Sequence, residues 1–195
     1  MIHFTDATGL LGSAIAIVAV SSRMLGVFRL PRARLGWLLV TVFVATLFPI
    51  GGLPLAGYLR GTIGDLSITS LLLLFMAFLR SLRGWPTPPD RNKLLLLNVF
   101  TAVGFYPLAL GWGGFDPYRL GYGSYWFLAC LLGLALLLVF RRLSTIAFTI
   151  GLAVLAWSIG WYESTNIWDY LLDPMISIYA AVAIIRQGIR RLRAG

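Results

Sequence analysis

The residues best suited to chemistry gather in three polar stretches. The densest is Glu163-Ser164-Thr165-Asn166-Ile167-Trp168-Asp169-Tyr170-Leu171-Leu172-Asp173-Pro174. Its acids suit general-base or proton-relay work, with Asp173, Glu163 and Asp169 the candidates. Asn166 reads as an N-cap with Asp169 at the third helical position, and Asn166 and Tyr170 offer polar atoms for binding. Asp169 and Asp173 are four apart and would share a helix face. Pro174 removes the donor that would bond the Tyr170 carbonyl, so a helix continuous across it must kink. The structural alternative is that Asp173 caps a helix beginning at Pro174, with Asp169 on a short interfacial turn.

The second stretch is Gly64-Asp65-Leu66-Ser67-Ile68-Thr69-Ser70. Asp65 is placed to cap the helix that follows, and it is the fourth candidate acid if this turn lines a polar cavity. The third is Phe115-Asp116-Pro117-Tyr118-Arg119-Leu120-Gly121-Tyr122-Gly123-Ser124, where Asp-Pro and Gly-Tyr-Gly mark turns. Arg119, with Arg60, is expected either to grip an anionic head group or phosphate, or to pair with a nearby carboxylate.

Several chemistries are excluded. His3 is the only histidine and Cys130 the only cysteine, which rules out bis-histidine haem, thiolate metal clusters and disulfides within the chain. Cys130 reads as a small core residue. No nucleotide-binding glycine loop, Ser-His-Asp set or His-Glu-x-x-His occurs, so no cofactor is expected.

The elements that position these residues follow from hydropathy and charge. The chain has 195 residues, 59% apolar and only 12% charged, against about a quarter charged in soluble domains. Such a surface needs lipid as solvent. The net charge is +9, but the basic residues sit in short clusters between apolar runs, a pattern of topology determinants and anionic-lipid contacts rather than nucleic-acid binding. The expected fold is all-α: one transmembrane bundle over residues 1–195, with spans near 7–28, 35–51, 65–82, 94–111, 124–140, 143–161 and 167–187.

Seven spans sort the charges cleanly. One face holds Arg23, Arg29, Arg32, Arg34, Arg80, Arg83, Arg91, Lys93, Arg141, Arg142, Arg186, Arg190, Arg191 and Arg193. The other holds only Arg60 and Arg119, with six of the seven acids: Asp6, Asp65, Asp116, Glu163, Asp169 and Asp173. The positive-inside rule then sets the N-terminus outside and the C-terminus in the cytoplasm. Trp112, Trp126, Trp161 and Trp168 fall at the outer boundary, Trp37 and Trp85 at the inner one, and Trp157 one turn deeper. The first apolar run lacks a basic leader and reads as a span rather than a signal peptide.

Two breaks interrupt the helical pattern: Pro49-Ile50-Gly51-Gly52-Leu53-Pro54, and Pro107 followed by Gly111-Trp112-Gly113-Gly114. Irregular backbone at membrane depth must be buried in protein or line a wet cavity. Each break precedes an outer arginine and a leucine-rich helix, so a duplicated hairpin is one reading.

These features point to a small accessory or scaffold protein of the bacterial inner membrane. Its acidic outer-face site would engage a lipid head group, or another membrane or periplasmic protein. The bacterial assignment rests on small size, the absence of organelle targeting and the sharp charge bias. One alternative is a membrane enzyme on a lipid-linked substrate, with Asp173 or Glu163 as base and Arg60 and Arg119 on a phosphate. Another is a small proton- or cation-coupled transporter.

Overall fold

A computed structural model of the chain describes residues 4–26 and 30–193, side chains 32 and 33 excepted. Met1, His3, Arg29, Gly195 and the end of the first expected span lie outside the described residues. The fold is all-α but for one minute hairpin: α1 Phe4–Met24, α2 Arg32–Leu47, β1 Pro49–Ile50, β2 Leu53–Pro54, α3 Leu55–Ile63, α4 Ile68–Arg83, α5 Arg91–Ala109, α6 Tyr125–Phe140, α7 Ser144–Ser158, α8 Trp168–Leu171 and α9 Pro174–Leu192. Among the described residues, α1 and α5 are long and apolar enough to cross a membrane; α2, α6 and α7 are apolar but shorter.

The described residues form two compact units. One takes those up to Leu66, with Leu71–Thr87 and Trp161–Glu163; the other takes Ser67–Ser70, Pro88–Gly160 and those from Ser164 onward.

In the first unit α1 packs on α2 and α3. The packed stripe of α1 is small: Thr8, Gly9, Gly12, Ser13 and Ala16 are buried, which lets other backbones approach closely. Asp6 in its first turn and Arg23 in its last complement the helix dipole. Pro49 ends α2, because the residue before a proline is pushed to extended geometry, and Phe48 has φ −74° and ψ 133°. Gly51 and Gly52 both have positive φ, 64° and 98°, so the chain turns in two residues and Ile50 pairs with Leu53. The Tyr58 hydroxyl donates to the Ile50 carbonyl at 2.9 Å. This break is an exposed tight hairpin, not buried irregular backbone.

In the second unit α5 packs on α9 and α7, and α6 on α7. Pro107 sits within the last turns of α5, so this break is a proline tolerated near a helix end, locally unlike the hairpin at Pro49. Ser124 caps α6 by accepting from the Phe127 N–H. The expected kinked seventh helix is instead two helices. Leu172 and Asp173 are extended, at φ −140° and −137°, and Pro174 opens α9 at a position where its missing N–H costs nothing. Asp169 and Asp173 therefore do not share a helix face.

Candidate functional site

Three polar networks hold the candidate residues. The first lies in the first unit and centres on Arg60, in the last turn of α3. Gly64 follows with φ +76°, reversing the chain so that Asp65 returns onto the helix end it has just left. Arg60 Nε and Nη2 donate to the two oxygens of Asp65 at 2.7 and 3.1 Å. Nη1 reaches Asp6 at 3.2 Å, and Nη2 lies 3.5 Å from Glu163. The Asp65 hydrogen bond, above all, holds the guanidinium proton more firmly than usual. Gly9 makes room for this cluster: a Cβ there would collide with Asp65 Oδ1 and Arg60 Nε. One guanidinium facing three carboxylates leaves a negative field, which repels a phosphate. Glu163 is the exposed acid of this set, its side chain 62% accessible.

The second network joins the 3-10 turn Pro117–Gly121 to the stretch Ser164–Tyr170, all within the second unit. Asp116 accepts from the Tyr118 N–H and Pro117 opens the turn. Tyr118 donates its hydroxyl to the Asp169 carboxylate, 3.1 and 3.0 Å from its two oxygens, and Ser164 Oγ donates to Oδ2 at 2.5 Å. Burial, then the Asp169 charge, pushes the Tyr118 phenol well above its usual range, so it stays a donor. Asn166, fully buried, gives Nδ2 to the Tyr118 carbonyl and accepts from the Trp168 N–H, while the Ile167 N–H bonds the Gly121 carbonyl at 3.0 Å. Only glycine fits at 121, because a Cβ would overlap the Asn166 amide. Tyr170 is fully buried and donates to the Ser164 carbonyl at 3.0 Å. Asn166 thus starts the turn as expected, but Asp169 does not complete a capping box; it faces Tyr118 and Ser164.

The third network is built on Asp173, 5% exposed. Oδ1 accepts from the Ile176 N–H at 2.8 Å, which caps α9. Oδ2 accepts from the Ser67 N–H at 2.8 Å and Ser70 Oγ at 2.5 Å, which ties down the start of α4. Ser67 Oγ accepts from the Ser70 N–H. The cap of α4 is therefore Ser67 with Asp173, not Asp65, which Arg60 has drawn away. Asp173 is an N-cap as the structural alternative required, but of two helices at once.

Arg119 stands apart. It is exposed and makes no ion pair among the described residues. Arg60 belongs to the first unit and Arg119 to the second. Near Arg119 in sequence, Trp112, Phe115, Tyr122, Tyr125 and Trp126 are all exposed. Trp168 is instead half-buried, its ring 4.5 Å from Phe105 and 4.9 Å from Phe127. Cys130 is exposed rather than in the core.

Sequence reasoning passed over Asp90. It is 4% exposed, and its Oδ2 accepts from the Thr145 N–H at 2.8 Å, capping α7 from the start of α5. An acid just before a helix signals a cap, but that it serves a different helix is a tertiary fact. The described residues hold no cluster of metal-ligating side chains.

The chain matches no family model, no curated protein and no solved structure.

Proposed function

We propose that this chain is a seven-span protein of a bacterial inner membrane, N-terminus out and C-terminus in. In this reading it serves as a non-catalytic accessory or scaffold protein whose outer end engages an anionic lipid head group through Arg119. One observation carries the non-catalytic part. Asp65, Asp169 and Asp173 each have both carboxylate oxygens engaged by donors inside the protein, and the remaining candidate acid, Glu163, is exposed and lies 3.5 Å from the Arg60 guanidinium, which favours its charged, weakly basic form. Hydrogen bonds to the charged form stabilise it and weaken it as a base, and they hold each carboxylate in a structural role. Arg60, bound to three carboxylates, is equally committed.

The membrane reading draws support from the outward faces. Large apolar side chains such as Leu132, Leu136, Val139, Phe148 and Leu155 are exposed on α6 and α7, where water would make them costly. Exposed aromatics around Arg119 suit the head-group layer, and an unpaired guanidinium there matches phosphate geometry.

The test is lipid retention. The protein and its Arg119→Ala variant are purified in nanodiscs of mixed phosphatidylglycerol and phosphatidylethanolamine, and retained lipid is counted by native mass spectrometry. Selective retention of phosphatidylglycerol that falls several-fold in Arg119→Ala is the expected result. Equal retention by both proteins, or a stoichiometric protein partner in place of lipid, overturns the lipid reading.

A further inference from the structure

The interval from Leu94 to Phe115 carries no charge, yet it holds one side-chain amide, Asn98. Asn98 lies on α5, is 6% exposed, and its Oδ1 has no hydrogen-bond partner. An unpaired buried amide oxygen has given up water without a replacement, so natural structures keep few without a reason. In an apolar span such a group is a functional candidate by default.

Asn98 lines a pocket of about 260 Å³ within the second unit, open on the side where Cys130, Leu97 and Leu134 are exposed. Three helices contribute walls at helical spacing, for example Asn98 and Thr101 from α5, Cys130 and Leu134 from α6, and Thr149 from α7. Trp168 and Leu171 of α8 complete it. Two of its threonines already donate elsewhere: Thr69 Oγ1 to the Leu171 carbonyl at 2.6 Å and Thr149 Oγ1 to the Thr145 carbonyl at 2.7 Å. The rest of the wall is almost wholly apolar, with the Asn98 amide and the Thr101 hydroxyl as its other polar groups.

Size narrows the occupant. An apolar cavity near 150 Å³ stays dry and accepts a benzene-sized guest, while drug-sized pockets begin near 300 Å³. A volume of about 260 Å³ lies between these, enough for a chain segment but not for a head group. The stretch of α5 from Leu94 to Thr101, seven rises of about 1.5 Å, gives a wall roughly 10 Å long. A hydroxyl is the polar end that suits Asn98, because it donates to an amide oxygen and can also accept from an amide nitrogen.

We propose that this cavity is a binding site for an aliphatic chain ending in a hydroxyl, with the hydroxyl donating to Asn98 Oδ1 and the chain lying between α5, α6 and α7. The site is separate from the Arg119 face and does not depend on it.

The experiment uses the full chain in nanodiscs with two photoreactive probes: a diazirine-bearing hexadecanol and its methyl ether. They share a chain, but the ether cannot donate. One neutral hydrogen bond is worth about 2–10-fold in affinity. The alcohol should label the cavity walls of α5, α6 and α7 about 2–10-fold more than the ether in the unaltered protein, a comparison that needs no variant. In Asn98→Leu the two probes should label equally. Competition by an unlabelled linear fatty alcohol or by a short polyprenol identifies whether the natural chain is linear or isoprenoid, and competition by neither overturns the proposal. Equal labelling by alcohol and ether in the unaltered protein, or labels mapping outside these walls, overturns it as well and leaves Asn98 to water.

Discussion

At the scale of single residues, the candidate acids differ in what their removal exposes. Arg60→Ala would leave Asp6, Asp65 and Glu163 facing one another without their cation. Full burial would make that loss worth several kcal/mol, but the Arg60 and Asp65 side chains are 18% and 20% exposed, so about 1–3 kcal/mol is expected. Arg119→Ala and Arg190→Ala remove exposed charges and should stay within about 0.5 kcal/mol. Thermal unfolding of the three variants in one detergent checks this; equal melting temperatures would show that the Arg60 cluster holds nothing together. Asp173→Asn separates two kinds of cap. Asparagine replaces aspartate well where only one oxygen is used. Here three donors converge on two oxygens, so the asparagine NH₂ must face either Ile176 or the Ser67–Ser70 pair. A loss of about 1–3 kcal/mol follows, larger than that of Ser70→Ala, which removes one donor and strands none. A silent Asp173→Asn would mean that one of these bonds contributes nothing.

At the scale of elements, caps reach across the chain. Asp90 opens α5 but bonds the second residue of α7, 55 positions on. Asp173 opens α9 and bonds the entry to α4, 103 and 106 positions back. A helix-end N–H has no partner within its own helix, so each such bond sets where a helix starts relative to a neighbour. Asp90→Ala should cost about 0.5–2 kcal/mol and should loosen α7 before the other helices. Hydrogen exchange read by mass spectrometry gives the location: faster exchange confined to the first turn of α7 is expected, and uniform acceleration would count against a local cap. The same reasoning explains why the expected seventh helix is broken. With Asp173 needed as a cap for two helices, the chain must leave helical geometry at Leu172 and Asp173, so Pro174 begins a helix rather than bending one.

At the scale of the whole molecule, topology is the quantity to measure. In a Cys130→Ala background, Ser164→Cys should react with an impermeant maleimide from outside intact cells, and Thr87→Cys only after permeabilisation. The basic residues at the helix boundaries are what this test interrogates. Arg23, Arg80 and Arg83, and Arg190 and Arg191 close α1, α4 and α9, Arg141 follows α6, and Arg91 opens α5. Labelling of Thr87→Cys from outside would remove the seven-span topology and, with it, the outer position of Arg119.

What the sequence determined by itself was helix content and approximate helix limits, because these depend on local hydropathy and on turn chemistry. Tyr125–Phe140 and Ser144–Ser158 match their expected spans within a few residues, since charged pairs and a serine cap mark their ends. The partners of each polar side chain were decided only by the tertiary structure. Nothing local to Asp65 says that Arg60 will take it before the α4 N-terminus can. Nothing local to Asp173 names Ser67 and Ser70, and Gly9 and Gly121 look like ordinary glycines until the side chains packed against them are known. A hydrogen bond between residues a hundred positions apart depends on how helices approach one another, and no window of sequence carries that distance.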